Sequence, residues 1–199
     1  LQNIPIKTSI GKEIRKSFVA KKDHNLISCD YSQIELRILA HMSKDPVLVE
    51  AFTQDKDIHQ ESAAKLFNLL PQEITANQRS QAKTINYGIL YGMSAKRLAQ
   101  ESSLSQQNSQ AFIVQYFKNF PKVEELLLEL KKSARKEGYA KTIWGRKRYL
   151  HQELNDPGSI ERIAINTPIQ GSAADLIKKA MINITKRIKQ KNIPCQMLL

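Results

Sequence analysis

One run of residues restricts this chain more than any other: Arg79-Ser80-Gln81-Ala82-Lys83-Thr84-Ile85-Asn86-Tyr87-Gly88-Ile89-Leu90-Tyr91-Gly92. Arg79, Lys83, Tyr87 and Tyr91 recur every four residues, and each step overshoots a full helical turn by about 40°. On a helix they form a winding stripe that starts cationic and turns aromatic, a face along which a triphosphate and a base can lie. Thr75-Ala76-Asn77-Gln78 has the form of a capping box just ahead of the run, and Gly92 is placed to end it. A second segment, Asp30-Tyr31-Ser32-Gln33-Ile34-Glu35-Leu36-Arg37, puts a carboxylate where the apolar run Leu26 to Cys29 gives way to a helical pattern. Asp30 is therefore expected at the mouth of a strand, where an exposed carboxylate can hold Mg²⁺.

Around these segments the pattern is strand-like at first and helical later. Phe18-Val19-Ala20 and Leu26-Ile27-Ser28-Cys29 are expected as short strands. Ser32, with Glu35 three residues on, can cap the first of several helices. Ser94 can start another helix, and Lys118-Asn119-Phe120-Pro121 interrupts the pattern before an amphipathic helix from Val123 to Lys136 with Leu126, Leu127 and Leu130 on one face. Ile143-Trp144-Gly145-Arg146 reads as a hairpin turn. A last helix from Ala173 to about Gln190 leads past Pro194 to Met197-Leu198-Leu199, the expected start of a strand. No repeat, low-complexity tract or flexible linker points to a second independent domain.

With 199 residues and 41% hydrophobic content the chain can bury one good core, and 31 Lys+Arg against 19 Asp+Glu give a formal charge of +12 that favours a polyanionic partner. The two cysteines have no framework spacing and suit a reduced chain, with Cys29 read as a small buried side chain. No apolar stretch approaches a membrane span, and without an initiator Met or a signal-peptide pattern the chain reads as a piece of something longer.

The two segments resemble the first two polymerase motifs of family A DNA polymerases, the bacterial DNA polymerase I type. Four more matches follow in the family's order: Leu1-Gln2-Asn3-Ile4-Pro5 resembles the palm-entry segment, and Lys56-Asp57-Ile58-His59 a turn with a triphosphate-contacting histidine. Tyr139 to Leu150 resembles the hairpin that closes the fingers, and Ala164-Ile165-Asn166-Thr167-Pro168-Ile169-Gln170-Gly171-Ser172-Ala173-Ala174-Asp175 the segment returning to the palm. The resemblance implies an α+β, mostly helical fold: a palm with a partial antiparallel sheet over residues 1–45 and 156–199, and helical fingers inserted over 46–155. In the family the strand begun at Met197 continues to a histidine-aspartate-glutamate motif with the second metal-binding carboxylate, so the chain alone is expected to be inactive.

The implied activity is template-directed addition of deoxynucleotides to a primer 3′ end, an in-line phosphoryl transfer assisted by two Mg²⁺ ions. Asp30 is assigned to both metals, with the backbone carbonyl of Tyr31 assisting. Lys83 joins Asp30 as catalytic, touching the α-phosphate and placed to protonate the leaving pyrophosphate. The nucleotide set is Gln33, Glu35, His59, Arg79, Lys83, Tyr87 and Tyr91, in which Glu35 bonds to Tyr91 and fills the space of a ribose 2′-hydroxyl. Gln33 and Arg37 support the site from behind. Gly88, Arg162, Asn166 and Gln170 are assigned to DNA, the last three lying four residues apart to read the minor-groove acceptors, although Pro168 interrupts that spacing as a strict helix. Each has a plain alternative: Asp30 as a turn residue, Glu35 as half of a capping box, Arg79 and Lys83 as solvated charges, His59 as a structural ring. Ser80 and Gln81 stand where bacterial relatives often have Arg-Ser, and Tyr87 replaces the commoner phenylalanine.

Primer-template DNA and deoxynucleoside triphosphates are the implied partners of a chain expected to be monomeric, with no membrane association, at work in a bacterial or phage-infected cytoplasm or in an organelle. A single-subunit RNA polymerase relative and a non-catalytic nucleic-acid-binding module derived from the fold are the alternatives, and Glu35 argues against the first. His59-Gln60-Glu61 and His151-Gln152-Glu153 have the His-x-Glu form of zinc deaminases, but Pro194-Cys195 lacks the partner motif's second cysteine.

Overall fold

The computed structural model describes residues 4–5, 8–102, 104–150 and 157–198. Leu1-Gln2-Asn3 of the palm-entry segment, the motif at 151–153, Leu199 and the boundary expected at 155/156 lie outside the described residues. The chain divides into two compact units, Leu1–Ser32 and Gln33–Leu199.

The first unit contains α1 (Ser9–Lys16), whose N-cap Thr8 accepts a hydrogen bond from the Gly11 amide at 3.1 Å. The strands expected at Phe18–Ala20 and Leu26–Cys29 do not form. A strand holds its shape through a ladder to a neighbour, and neither segment has one among the described residues; Val19 and Ile27 are exposed. Cys29, expected buried, is exposed for the same reason, and Asp30 is exposed on irregular backbone rather than at a strand mouth.

The second unit is helical apart from one hairpin. It runs through α2 (Ile34–Ser43), α3 (Pro46–Thr53), α4 (Ile58–Phe67), α5 (Ala76–Leu90), α6 (Ala95–Ser102), α7 (Gln106–Asn119) and α8 (Pro121–Glu137), then β1 (Tyr139–Lys141), β2 (Lys147–Tyr149) and α9 (Pro157–Gln190). Local chemistry sets many boundaries. Asp45 and Asp57 cap α3 and α4 with their carboxylates, and Thr75 with Gln78 closes the expected capping box on α5. Pro121 starts α8 directly after Phe120 ends α7. The core gathers Leu36 and Leu39 of α2, Ile85 and Leu90 of α5, and Tyr116 and Phe120 from α7 and its end.

Three expectations fail here. Ser32 does not cap α2: the N-cap is Gln33, in the left-handed region at φ 54°, with no side-chain cap bond. The last helix begins well before Ala173 and passes through Pro168. A proline inside a helix costs about 3 kcal/mol or more, but Ile165 and Ile169 on either side are buried at 2% and 0% exposure, and burying two such side chains returns roughly 3–6 kcal/mol. Packing outweighs the break. The expected strand at Met197 also does not form among the described residues.

The antiparallel pair β1 and β2 is in register Tyr139 with Tyr149, Ala140 with Arg148 and Lys141 with Lys147. Its turn carries Gly145 at φ 83°, which glycine adopts without strain. The hairpin docks on α9 where the Ile143 amide donates to Ser172 Oγ at 2.9 Å and Arg146 donates to Asp175 Oδ1 at 2.8 Å and the Gly171 carbonyl at 3.0 Å. Asp175 is thereby occupied structurally.

Candidate functional site

Helix α5 buries Ala82, Ile85, Asn86 and Ile89, which sets its outward edge. Along that edge lie Arg79 and Tyr87, both half-buried, exposed Lys83, and half-buried Tyr91 at the C-cap. The stripe read from the spacing is therefore one continuous face. The Tyr87 and Tyr91 rings stack with centroids 6.0 Å apart and planes 28° apart.

At the aromatic end, the Tyr91 hydroxyl donates to Glu35 Oε2 at 2.7 Å across 56 residues of sequence. Gln170 on α9 hydrogen-bonds the same hydroxyl. Burial first, and then the Glu35 carboxylate, push the Tyr91 hydroxyl well above its ordinary range, so it stays protonated and keeps donating. Glu35, Tyr91 and Gln170, drawn from α2, α5 and α9, thus meet at one point. Gly92, at φ 66°, approaches α9 at Ile165 and Arg162. Arg162 donates to Ser159 Oγ at 2.6 Å, and with Asn166 and Gln170 it follows the four-residue spacing on a single helix after all.

At the cationic end, both Nε and Nη2 of Arg79 lie 2.7 Å from Asp57 Oδ2. The other carboxylate oxygen accepts the His59 and Gln60 amides at 2.9 and 3.2 Å. Burial opposes the charge on Asp57, but hydrogen bonds from Arg79 and from those amides outweigh it and hold the carboxyl below its usual range.

His59 lies beneath the stripe. It is 2% exposed, with its ring 5.7 Å from that of Tyr87 and its Nδ1 accepting from the Asn86 amide at 3.0 Å. Asn86 also donates to Ser62 Oγ at 3.1 Å. Burial outweighs the opposing pull of Asp57 and, with the smaller repulsion of the Arg79 and Lys83 cations, brings the imidazole down to about 4. A neutral, buried ring props Tyr87 and Asn86 from beneath. Gly88 is tightly packed: a Cβ there would come within 2.9 Å of Leu98 Cδ1 and 3.4 Å of Met93 Sδ. The space it leaves is taken up by Leu98 of α6 and by Met93 just before it. Arg37 stacks its guanidinium over Phe52 at 4.7 Å, and Gln33 is half-buried at the start of α2. Asp30 and Tyr31 belong to the first unit, both exposed. Among the described residues no group of three or more His, Cys, Asp or Glu side chains gathers to hold a metal.

The family model for DNA polymerase family A matches residues 1–199. The chain belongs to DNA polymerase family A. It is 46% identical to DNA polymerase I of Caldicellulosiruptor bescii over 203 residues, covering 100% of this chain and 24% of that protein. It is 47% identical to DNA polymerase I of Borreliella burgdorferi, covering 100% of this chain and 22% of that protein. A solved structure described as the POL domain of Pol1 from M. smegmatis, in complex with DNA primer-template and dNTP, superposes with a TM-score of 0.90 at 42% identity, covering 100% of this chain and 36% of that one. The chain therefore spans about a quarter of the length of the curated relatives it matches.

Within this family A chain, two residues of the site escaped the sequence reading as partners. Asp57 was visible only as part of a turn motif, and its hold on Arg79 spans 22 residues. Asn86 lies between the stripe positions, where its neighbours Ile85 and Ile89 point to burial, and an amide at a buried helix position was the available signal.

Proposed function

We propose that this chain forms the fingers, residues 46–155, and part of the palm, residues 1–45 and 156–199, of a longer template-directed DNA polymerase acting on primer-template DNA and deoxynucleoside triphosphates. The observation that carries the reading is the Tyr91 hydrogen bond to Glu35. It ties the aromatic end of the α5 stripe to a carboxylate, closing off the space that a ribose 2′-hydroxyl would occupy next to a nucleotide lying on that stripe. Arg79 takes the γ-phosphate and Lys83 the α-phosphate, where Lys83 also supplies the proton for departing pyrophosphate. Stacked Tyr87 and Tyr91 offer the sugar and base an aromatic floor. Arg162, Asn166 and Gln170 track the minor groove of the newly formed pair.

The oxygen donors of Asp30 and the Tyr31 carbonyl suit a hard cation. Mg²⁺ held there together with triphosphate oxygens would neutralise charge on the transferring phosphate.

The test is primer extension by the intact polymerase that carries this chain. Asp30→Ala removes nearly all turnover. Glu35→Ala narrows the ratio of kcat/KM between a deoxynucleotide and its ribonucleotide by about tenfold or more, the scale of one lost steric and polar contact. An unchanged ratio would show that Glu35 does not border the sugar.

A further inference from the structure

Arg79 has five N–H donors, and the structure commits two of them to one oxygen. Nε and Nη2 converge on Asp57 Oδ2 at 2.7 Å, while Oδ1 is held by the His59 and Gln60 amides at the start of α4. Every strong acceptor direction of the carboxylate is in use, and its plane is fixed by a helix terminus rather than by a flexible stem. No other protein partner engages Arg79 among the described residues, and the pair is open to solvent, with side-chain exposures of 44% for Arg79 and 32% for Asp57. An exposed pair of this kind adds little to stability. Its effect is geometric: it removes the rotamer freedom of a long side chain one helical turn from Lys83.

We propose that Asp57 is a positioning residue for triphosphate binding, gripping the Nε edge of Arg79 so that its Nη1 edge is aimed at the phosphate before the nucleotide arrives. The inference rests on the reading of Arg79 as a phosphate contact. A triphosphate seated on the gripped edge would have to strip Arg79 from Asp57 and leave a bare carboxylate facing a polyanion. Approach from the opposite edge keeps Asp57 paired and leaves three N–H donors for phosphate oxygens. The anion then meets a fork already in place, and the ordering of one rotamer-rich side chain does not fall on the binding step.

The experiment compares Asp57→Asn, Arg79→Ala and the double variant in the intact polymerase, with KM and kcat for one correct deoxynucleotide. Asparagine caps a helix as well as aspartate does, so α4 keeps its N-terminus while Arg79 loses its charged anchor. Asp57→Asn is expected to raise KM about three- to tenfold with kcat within about twofold, and Asp57→Ser, another uncharged cap, to do the same. In the Arg79→Ala background, Asp57→Asn is expected to raise KM no further. If Asp57→Asn leaves KM unchanged or lowers it while Arg79→Ala raises it, Asp57 does not position Arg79 and the proposed function stands. An equal rise in both backgrounds also overturns the inference, since Asp57 would then act independently of Arg79. If Arg79→Ala itself leaves KM unchanged, the phosphate assignment beneath the inference fails.

Discussion

Tyr87 sits with its ring against His59 on one side and Tyr91 on the other, a clamp that holds its hydroxyl in a set place along the stripe. The family resemblance implies that with phenylalanine here a dideoxynucleotide is used poorly, because it lacks the 3′-hydroxyl that helps organise its own triphosphate. The Tyr87 hydroxyl can supply that polar contact. The intact enzyme is therefore expected to use dideoxynucleotides nearly as well as deoxynucleotides, and Tyr87→Phe to restore discrimination. A hydrogen bond to a charged group is worth about 1.5–3 kcal/mol, or about tenfold and more in preference. The ratio of kcat/KM for a matched deoxy and dideoxy pair, equal in both variants, would place Tyr87 away from the sugar. At this scale the sequence was legible where a residue's partner came with a motif. Glu35 and Tyr91 are such a pair, 56 residues apart yet bonded. It was illegible where a residue's environment decided its role: His59 carries no mark of its burial, and nothing local to Asp57 announces Arg79.

Helix α5 shows why elements differ in legibility. Its start is written in four residues, since the Thr75 hydroxyl accepts the Gln78 amide and the Gln78 side chain accepts the Thr75 amide at 3.0 Å. Such bonds depend on spacing alone and survive any tertiary context. The N-terminal turn they secure also carries Arg79. Thr75→Ala is expected to lower the stability of the chain by about 1 kcal/mol, measured as a fall in ΔG of urea unfolding, whereas Thr75→Ser retains most of it. Equal losses for Ala and Ser would mean that the cap contributes nothing. Helix α9 is the opposite case. Pro168 argues locally for a break, and only the burial of Ile165 and Ile169 explains its continuity. The failed strands at Phe18 and Leu26 have the same cause in reverse, because an extended segment needs a neighbour that alternation along one chain cannot specify.

For the molecule as a whole, the formal charge of +12 suits the polyanionic partner proposed above, and the cationic face has a consequence for folding. His59 lies beneath that face, and its imidazole is brought from 6.5 to about 4 by burial and by the neighbouring charges of Arg79 and Lys83. Between those values the unfolded chain binds a proton that the folded chain refuses, so stability present above pH 6.5 is lost as pH falls toward 4. Asp57 does not confuse this window, because its carboxyl is held below its ordinary 3.8 and its contribution is lost only at lower pH still. From pH 7.5 to pH 5 the His59 contribution to the loss is about 2 kcal/mol. His59→Gln keeps an acceptor for Asn86 and cannot take up the proton. Urea unfolding of the wild-type chain and of His59→Gln at both pH values should therefore show the variant losing about 2 kcal/mol less. Parallel losses would mean that the ring titrates freely in the folded protein, and that it is not the buried prop on which Tyr87 and Asn86 rest.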